Sequence, residues 1–290
     1  NMAVVNTNIG SSVAQAALAK NERSLNTAME QLSTGRSINS ASDNASGLAI
    51  SARMTSQIKG LDASIRNAND AVSMVSTAEG ALDEITEMLQ RIRELAVQSG
   101  TGTTHADDRT YMDTEFNALR DEIERVAANT EWNGTTILDG TAGGGTGLSG
   151  VTFQIGVDGG QTMAVEFGNF GNASGEIMGS LNGTAVGLNG TTASAGIALA
   201  ASVITITDIA IAAVSAQRAT FGATSNRLTH AVDNLTNVKT NAEASRSQVL
   251  DTDYAAATAE LARTQIIQQA GTAMLAQANQ LPQGVLALLQ

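Results

Sequence analysis

The stretch ISARMTSQIKGLDASIRNANDAVSMVSTAEGALDEITEMLQRI, residues 50–92, decides the fold. Its apolar residues follow one another mostly at steps of three and four, so they lie on one face of an α-helix. A face this narrow, with a period near 3.5 residues, is typical of a helix that packs along other helices in a coiled coil. The apolar residues are Ile50, Met54, Ile58, Leu61, Ile65, Ala68, Val72, Val75, Leu82, Ile85, Leu89 and Ile92.

Apolar residues spaced seven apart continue this pattern towards both ends of the chain. Only one Pro occurs in 290 residues, so long uninterrupted helices can form. We therefore predict a mainly α protein, a long antiparallel, coiled-coil-like bundle whose helices run out, turn and return. The heptad positions are Leu18, Leu25 and Leu32 near the N-terminus, Phe221, Leu228, Leu235, Ala242 and Val249 on the returning helix, and Ile267, Met274, Leu281 and Leu288 at the C-terminus.

Turn signals divide the helical pattern into separate helices. A linker rich in Gly, Ser and Asn is predicted at 35–47, and a second break at 251–253, where Asp and Thr can cap a new helix. The helix between 45 and 98 would be on the order of 80 Å long at 1.5 Å per residue. The predicted helices are 3–35, 45–98, 107–129, 202–247 and 254–289.

The middle of the chain has a different period. Apolar and polar residues alternate at 151–157 and 163–167 around a Gly-containing turn at 158–160, which predicts a small β-hairpin. An Asn-Gly pair at 133–134 is a second turn signal. Residues 168–198 are rich in Gly, Asn, Thr and Ser, so we expect a short solvent-facing loop segment there.

Composition excludes several classes of function. The net charge is −12, and 13 of the 28 acidic residues lie between Glu79 and Glu131. Nucleic acid is therefore not an expected partner, because phosphate binding needs basic clusters. We find no run of 18 apolar residues and expect no membrane-spanning segment, and the N-terminus lacks the pattern of a signal peptide. Cys is absent, which excludes disulfides and thiolate chemistry.

Residues that could carry catalysis or bind a metal are not grouped. The two His, His105 and His230, are far apart in sequence and have no metal-ligand spacing. The Gly-rich stretch 143–150 lacks the Lys and the strand–helix context of a phosphate-binding loop. We therefore expect a protein that is not an enzyme and that binds no cofactor or metal.

Several segments, in the same order along the chain, resemble bacterial flagellin. The resemblance covers about residues 3–140 and 202–290, which is most of the sequence. The matching runs are VVNTNIGSSVAQ, LSTGRSINSASDNASGLAIS and LQRIRELAVQS in the N-terminal part, and VLDTDYAAATAELARTQIIQQAGTAMLAQANQLPQGVLALLQ at the C-terminus.

The resemblance implies a structural subunit that self-assembles into the helical bacterial flagellar filament used for motility. It implies an extracellular protein that the flagellar type III system exports unfolded, without a cleaved signal peptide. The implied partners are other copies of the chain, an export chaperone at the C-terminal helices, the cap protein and the hook–filament junction protein, with no nucleic acid and no membrane. The alternative within the same family is that the chain is itself a hook–filament junction protein.

The resemblance also assigns the parts of the chain to layers of the filament. Residues 1–43 and 251–290 are expected to form a terminal-helix core domain at the inner wall, residues 44–167 and 199–250 a helical rod domain with the β-hairpin, and residues 168–198 a short variable segment. The core domain would contain an inter-subunit seam of Leu18, Leu25, Leu32, Ile267, Met274, Leu281 and Leu288. The rod would contain a seam of Ile58, Ile65, Val72, Leu89, Leu228 and Leu235.

Arg91, Leu95 and Glu115 have two interpretations. They correspond to positions that an animal Toll-like receptor contacts in the flagellins it detects, and that lie between protofilaments in the filament. From the residues alone, Arg91 lies at helical spacing from Glu87 and Glu94, which indicates salt bridges on a helix surface.

Overall fold

The computed structural model describes residues 8–142, 150–171, 179, 181, 186–190 and 192–287, without the side chains of 193 and 281–287. Helices dominate, so the predicted mainly α class is confirmed. In chain order the helices and strands are α1 (Ile9–Thr34), α2 (Ala41–Ser99), α3 (Ala106–Asn129), β1 (Glu131–Trp132), β2 (Thr135–Thr136), β3 (Gly150–Gln154), β4 (Thr162–Glu166), α4 (Ala193–Leu250) and α5 (Tyr254–Ala287).

The chain divides into two compact units. The terminal unit contains Asn1–Ile58 and Thr240–Gln290, and the central unit contains Lys59–Lys239. The predicted domain boundaries at 43/44 and 250/251 fall inside the terminal unit. The assignment of those domains to layers of a filament stays a prediction.

The long helical run of α2 begins at Asn44. Its φ of −163° and ψ of 98° are extended, and its side-chain oxygen accepts the backbone N–H of Gly47 at 2.9 Å, as an N-cap does. Just before it, the Asp43 carboxylate accepts the backbone N–H groups of Ser40 and Asn39, and these bonds lower its pKa below the usual value. The prediction of one helix over 45–98 is therefore confirmed.

In the terminal unit, α1 and α5 lie side by side. The residues buried on these two helices are small or polar: Ser11, Asn21 and Ala28 on α1, and Ala257 and Thr264 on α5. Small residues allow two helices to approach closely, but they bury little apolar area. The predicted seam residues of α1 are half-buried: Leu18, Leu25 and Leu32.

Ile267 and Met274 lie on a different face of α5. They are 42% and 66% exposed, so α5 does not turn them towards α1. The side chains of Leu281 and Leu288 lie outside the described residues. Because the predicted seam concerned contacts between subunits, the role of this set stays a prediction.

The two linkers of the terminal unit are bonded to each other. Gly35 ends α1 with a φ of 70°, and a Cβ at this position would lie 2.9 Å from the Tyr254 hydroxyl. The N–H of Ser37 donates to Leu250 O at 2.7 Å, and the N–H of Thr252 donates to Gly35 O at 3.1 Å. The predicted breaks at 35–47 and 251–253 therefore form one short antiparallel ladder.

In the central unit, three ion pairs join α2 to α4 and show that these helices are antiparallel. The step from one pair to the next along α2 equals the step back along α4, as expected for helices in one register. The pairs are each 2.7 Å long: Asp62–Lys239, Asp83–Arg218 and Arg93–Asp208.

From Leu61 onward, the apolar face predicted for 50–92 contributes to the core of the central unit. From Val75 to Ile92 its residues are buried, and from Leu61 to Val72 they are buried or half-buried. Side chains from α3, α4 and the hairpins complete the same cluster. The fully buried members include Leu82, Ile85, Leu89 and Ile92 of α2, Phe116 and Ile123 of α3, and Val203, Val214 and Phe221 of α4.

Leu228 and Leu235 differ in burial, although both belong to the predicted rod seam. Leu228 is fully buried in a small cluster with Ala68, Ala71 and Met163. Leu235 lies two turns further along α4, outside this cluster, and is only half-buried. Leu228 is the better covered of the two, because the hairpin residue Met163 packs against it, and the role of this set as a seam stays a prediction. Of the other members, Ile58 and Leu89 are buried, and Ile65 and Val72 are half-buried.

The predicted hairpin is present, and the Asn-Gly turn signal at 133–134 lies in a second, shorter one. β1 and β2 pair through a turn in which Asn133 and Gly134 have φ values of 50° and 77°, as a type I′ turn requires. In the predicted hairpin β3 pairs with β4, and Val151 faces Val165. Two amides fix this hairpin to the helices: Asn67 Nδ2 donates to Gln154 O at 3.0 Å, and Gln217 Nε2 donates to Glu166 O at 2.7 Å.

The expectation of a solvent-facing segment at 168–198 is wrong for the residues that the structure describes. Phe170, Leu181 and Leu188 are buried in the main core. The N–H of Leu188 donates to Asp113 Oδ1 at 2.7 Å. α4 also begins at Ala193 rather than near 202. Phe170, Leu181 and Leu188 were too sparse to show a period, yet all three lie in the core.

The packing of this segment is testable at Leu188. Leu188→Ala is expected to lower the free energy of unfolding by about 2–5 kcal/mol, as for other large-to-small changes at fully buried sites. Asn189→Ala changes the exposed neighbour and should alter it by less than about 0.5 kcal/mol. Urea unfolding followed by circular dichroism measures both, and equal stabilities of the two variants would show that 186–190 is not part of the core.

Candidate assembly surfaces

Exposed apolar side chains collect on the two terminal helices. Among the described side chains of α1 and α5, six large non-aromatic apolar residues are between 42% and 67% exposed. The three on α5 lie on one side of that helix, and exposed apolar side chains grouped in this way mark a site for another protein, since monomeric proteins seldom leave them uncovered. We call this set the terminal apolar surface: Ile9, Val13 and Met29 on α1, and Ile266, Ile267 and Met274 on α5.

Arg91 and Glu115 form an exposed ion pair between α2 and α3. Arg91 Nε donates to Glu115 Oε1 at 2.8 Å, and Nη1 donates to Glu94 Oε2 at 3.0 Å. Both side chains of the Arg91–Glu115 pair keep nearly half of their surface in solvent. Hydrogen bonding to Glu115, and then to Glu94, raises the pKa of the Arg91 guanidinium above its usual value, so the group stays charged. The predicted salt bridge with Glu94 is confirmed.

Leu95 does not share this surface. It is 2% exposed and belongs to the core of the central unit. The reason lies in the helical register, because Leu95 follows Ile92 by three residues and so continues the buried face of α2. The prediction that Leu95 contacts a partner directly is therefore corrected: it supports the helix from which Arg91 projects.

α4 carries an apolar stretch that the sequence analysis missed. Ser194–Leu250 is long and apolar enough to cross a membrane by length and composition alone, and 28% of its most apolar window is buried. The search for an unbroken apolar run missed this window, because scattered Ser and Thr and a single Asp interrupt the run but barely lower its mean hydropathy. Val203 and Val214 of this helix are in the core, while Ile197 and Ile209 are exposed. The absence of a membrane partner stays a prediction.

Arg109 is a second residue that sequence reasoning missed. It is 1% exposed, and its guanidinium donates to Ser99 O and Thr101 O, both at 3.1 Å. These bonds hold the loop between α2 and α3 against the helix that follows it. An Arg within an acidic helix is expected on the surface. The sequence therefore contained no signal that Arg109 is buried.

The described residues bring no catalytic constellation together. Among them, no group of three or more His, Asp or Glu side chains is placed to hold a metal ion. His105 and His230 are both exposed. His105 precedes α3, where its backbone N–H donates to Asp108 Oδ2 at 3.4 Å.

The sequence is similar to those of known proteins along most of its length. Residues 5–143 match the bacterial flagellin N-terminal helical region, and residues 204–289 match the bacterial flagellin C-terminal helical region. Flagellin A of Vibrio anguillarum is 35% identical, over 99% of this chain and 99% of its own. Flagellin of Halalkalibacterium halodurans is 41% identical over 91% of each chain. The crystal structure of Bacillus cereus flagellin has 34% identity, covers 59% of this chain and 88% of its own, and has a TM-score of 0.48.

The two matched regions cover most of the chain and place it in a class of structural proteins that are not enzymes. The chain belongs to the flagellin family, the structural subunits of the extracellular bacterial flagellar filament.

The difference between Leu95 and Arg91 gives a prediction. Leu95→Ala is expected to lower the free energy of unfolding by about 2–5 kcal/mol, because it empties a buried site. Arg91→Ala should leave the melting temperature nearly unchanged, since solvent screens an exposed ion pair. Thermal unfolding by circular dichroism compares the two, and a large loss in Arg91→Ala with none in Leu95→Ala would reverse the assigned roles.

Proposed function

We propose that the chain polymerises through its terminal unit and that the terminal apolar surface is the main contact between copies. The observation that carries this proposal is the exposure of Ile266, Ile267 and Met274 along one side of α5. In water these side chains gain free energy when a neighbouring copy covers them. The predicted inter-subunit seam includes Ile267 and Met274, and their exposure within the chain leaves them available for it.

The pairing of α1 with α5 is weak on its own in this proposal. Its buried residues are small or polar, so the pair gains little from removing apolar area from water. Isolated helices of this kind are marginal in water, because backbone entropy opposes their formation. The ends of the chain therefore become ordered as they assemble, and polymerisation supplies the burial that one chain lacks.

A polymer rather than a closed ring follows from the kind of contact. The surface on one copy meets a different surface on the next, and such a heterologous contact grows into a helix unless its rotation closes. The ion pair of Arg91 with Glu115 supplies a second, polar contact in the central unit, either with a neighbouring protofilament or with an animal Toll-like receptor. Leu95 acts there through packing.

The cellular route rests on the family resemblance. The chain travels unfolded through the flagellar type III export system, without a cleaved signal peptide. An export chaperone covers its C-terminal helices on the way, which fits the exposed apolar side of α5. The cap and hook–filament junction proteins are its partners at the distal and proximal ends of the filament.

The hook–filament junction protein is the less favoured alternative. Two relatives that cover 99% and 91% of this chain are both flagellins. A strain that lacks the gene separates the two roles under the electron microscope. Loss of the filament, with no flagellin shed into the medium, supports the filament subunit, whereas hooks that shed monomeric flagellin support the junction protein.

The terminal apolar surface is testable with two matched charge substitutions on α5. Met274→Asp places a carboxylate on the apolar side and is expected to block polymerisation while the soluble subunit keeps its melting temperature, since the site is in solvent there. Gln265→Asp adds the same charge at an exposed polar position and should polymerise normally. Sedimentation after seeding measures both. Filaments of normal length from Met274→Asp would show that this surface is not the contact.

A further inference from the structure

One carboxamide group, that of Asn8, makes two hydrogen bonds at the start of α1. Its Oδ1 accepts the backbone N–H of Ser11 at 3.0 Å, which caps α1. Its Nδ2 donates to the backbone carbonyl of Ala278 in α5 at 2.8 Å. A single side chain therefore joins the first turn of α1 to one defined position on α5.

The carbonyl that Asn8 contacts differs chemically from its neighbours. In an α-helix the carbonyl of residue 278 accepts the N–H of residue 282. Residue 282 is proline, which has no N–H, and α5 nevertheless continues to Ala287. The carbonyl of Ala278 thus lacks its helical donor, and Asn8 supplies one. Because Pro282 is the only proline in the chain, α5 offers such a carbonyl in its interior at one place.

Other contacts along the pair keep the same register. Asn21 Nδ2 donates to Thr264 O at 2.8 Å within the buried seam. The step from Asn8 to Asn21 along α1 nearly equals the step from Ala278 back to Thr264 along α5. Between them, a Cβ at Gly271 would lie 2.9 Å from Leu18 Cδ2, so the two helices are in close contact there.

We propose that Asn8 sets the register of the α1–α5 pair, and that it does so by binding the Ala278 carbonyl, which Pro282 leaves without a helical donor. Apart from the contact of Leu18 with Gly271, the buried apolar residues of the pair, Ala28 and Ala257, are small and discriminate poorly between neighbouring registers. A slide by one turn would leave the Ala278 carbonyl without a donor, and an unpaired polar group in a helix contact is unfavourable. The inference concerns pairing within one chain and does not rest on the proposed assembly contact.

Engineered cysteines can report the register, since the chain has no Cys of its own. Leu18→Cys with Gly271→Cys reports the observed register, because these positions are in contact. Leu18→Cys with Leu275→Cys reports a slide by one turn of α5. A disulfide forms only when the two Cα atoms come within about 7 Å. Intrachain products are separated from dimers by gel mobility, in both the soluble and the polymerised fraction of the full chain.

Two substitutions then test the proposed role of the hydrogen bond from Asn8 to the Ala278 carbonyl. Asn8→Asp keeps an oxygen that caps α1 but removes the donor to Ala278. Pro282→Ala restores an N–H that competes for the same carbonyl. Each is expected to lower the ratio of observed-register to slipped cross-link by roughly fivefold, the factor that corresponds to one net hydrogen bond. Because both act on one interaction, the double variant should fall no further than either single variant.

The controls make each outcome decisive. Asn26→Asp makes the same chemical change at an exposed position of α1 and should leave the ratio unchanged. Circular dichroism checks that α1 keeps its helicity in Asn8→Asp. An unchanged ratio in Asn8→Asp, or effects of Asn8→Asp and Pro282→Ala that multiply in the double variant, would overturn the proposal. The absence of the Leu18–Gly271 cross-link from both fractions would also overturn it, because α1 and α5 would then not be paired in this register.

Discussion

Burial of the apolar face of α2 is the interaction on which the central unit depends. A single helix cannot bury its own apolar face, so α3, α4 and the two hairpins are held against it. Ion pairs and hydrogen bonds position these partners. Three ion pairs hold α4 in one antiparallel register against α2, and the side-chain amides of Asn67 and Gln217 hold the β3–β4 hairpin. The apolar face supplies the free energy, and these bonds select the arrangement.

In the terminal unit, hydrogen bonds and small residues replace a large apolar core. Its buried residues are small or polar and are joined by hydrogen bonds, Leu18, Leu25 and Leu32 are half-buried beside them, and Ile266, Ile267 and Met274 are exposed. Hydrogen bonds between helices contribute little net free energy but discriminate strongly between arrangements. The unit therefore has a well-specified internal geometry and little independent stability. That combination fits the proposed function, in which the segment is exported unfolded and adopts a single conformation when neighbouring copies cover it.

Periodicity allowed the sequence to predict the helices, the β3–β4 hairpin and most of the core. The 50–92 face spans many turns, so its period stands out against local exceptions. Leu188 and Phe170 were missed because isolated apolar residues between Gly and Asn have no period. Arg109 was missed because its burial depends on backbone carbonyls that only the folded loop presents. Leu95 was placed on the surface because the resemblance indicated a contact but not which face of α2 is buried. The heptads of α5, likewise, did not indicate which face packs against α1.

The central claim is that the terminal helices become ordered through contact with other copies, whereas the central unit folds alone. Amide hydrogen exchange on the soluble subunit and on the filament tests it most directly. The account predicts that amides of α1 and α5 exchange rapidly in the subunit and become strongly protected in the filament, while amides of α2 between 75 and 96 are protected in both. Amides of α1 and α5 that are as well protected in the soluble subunit as in the filament would contradict it.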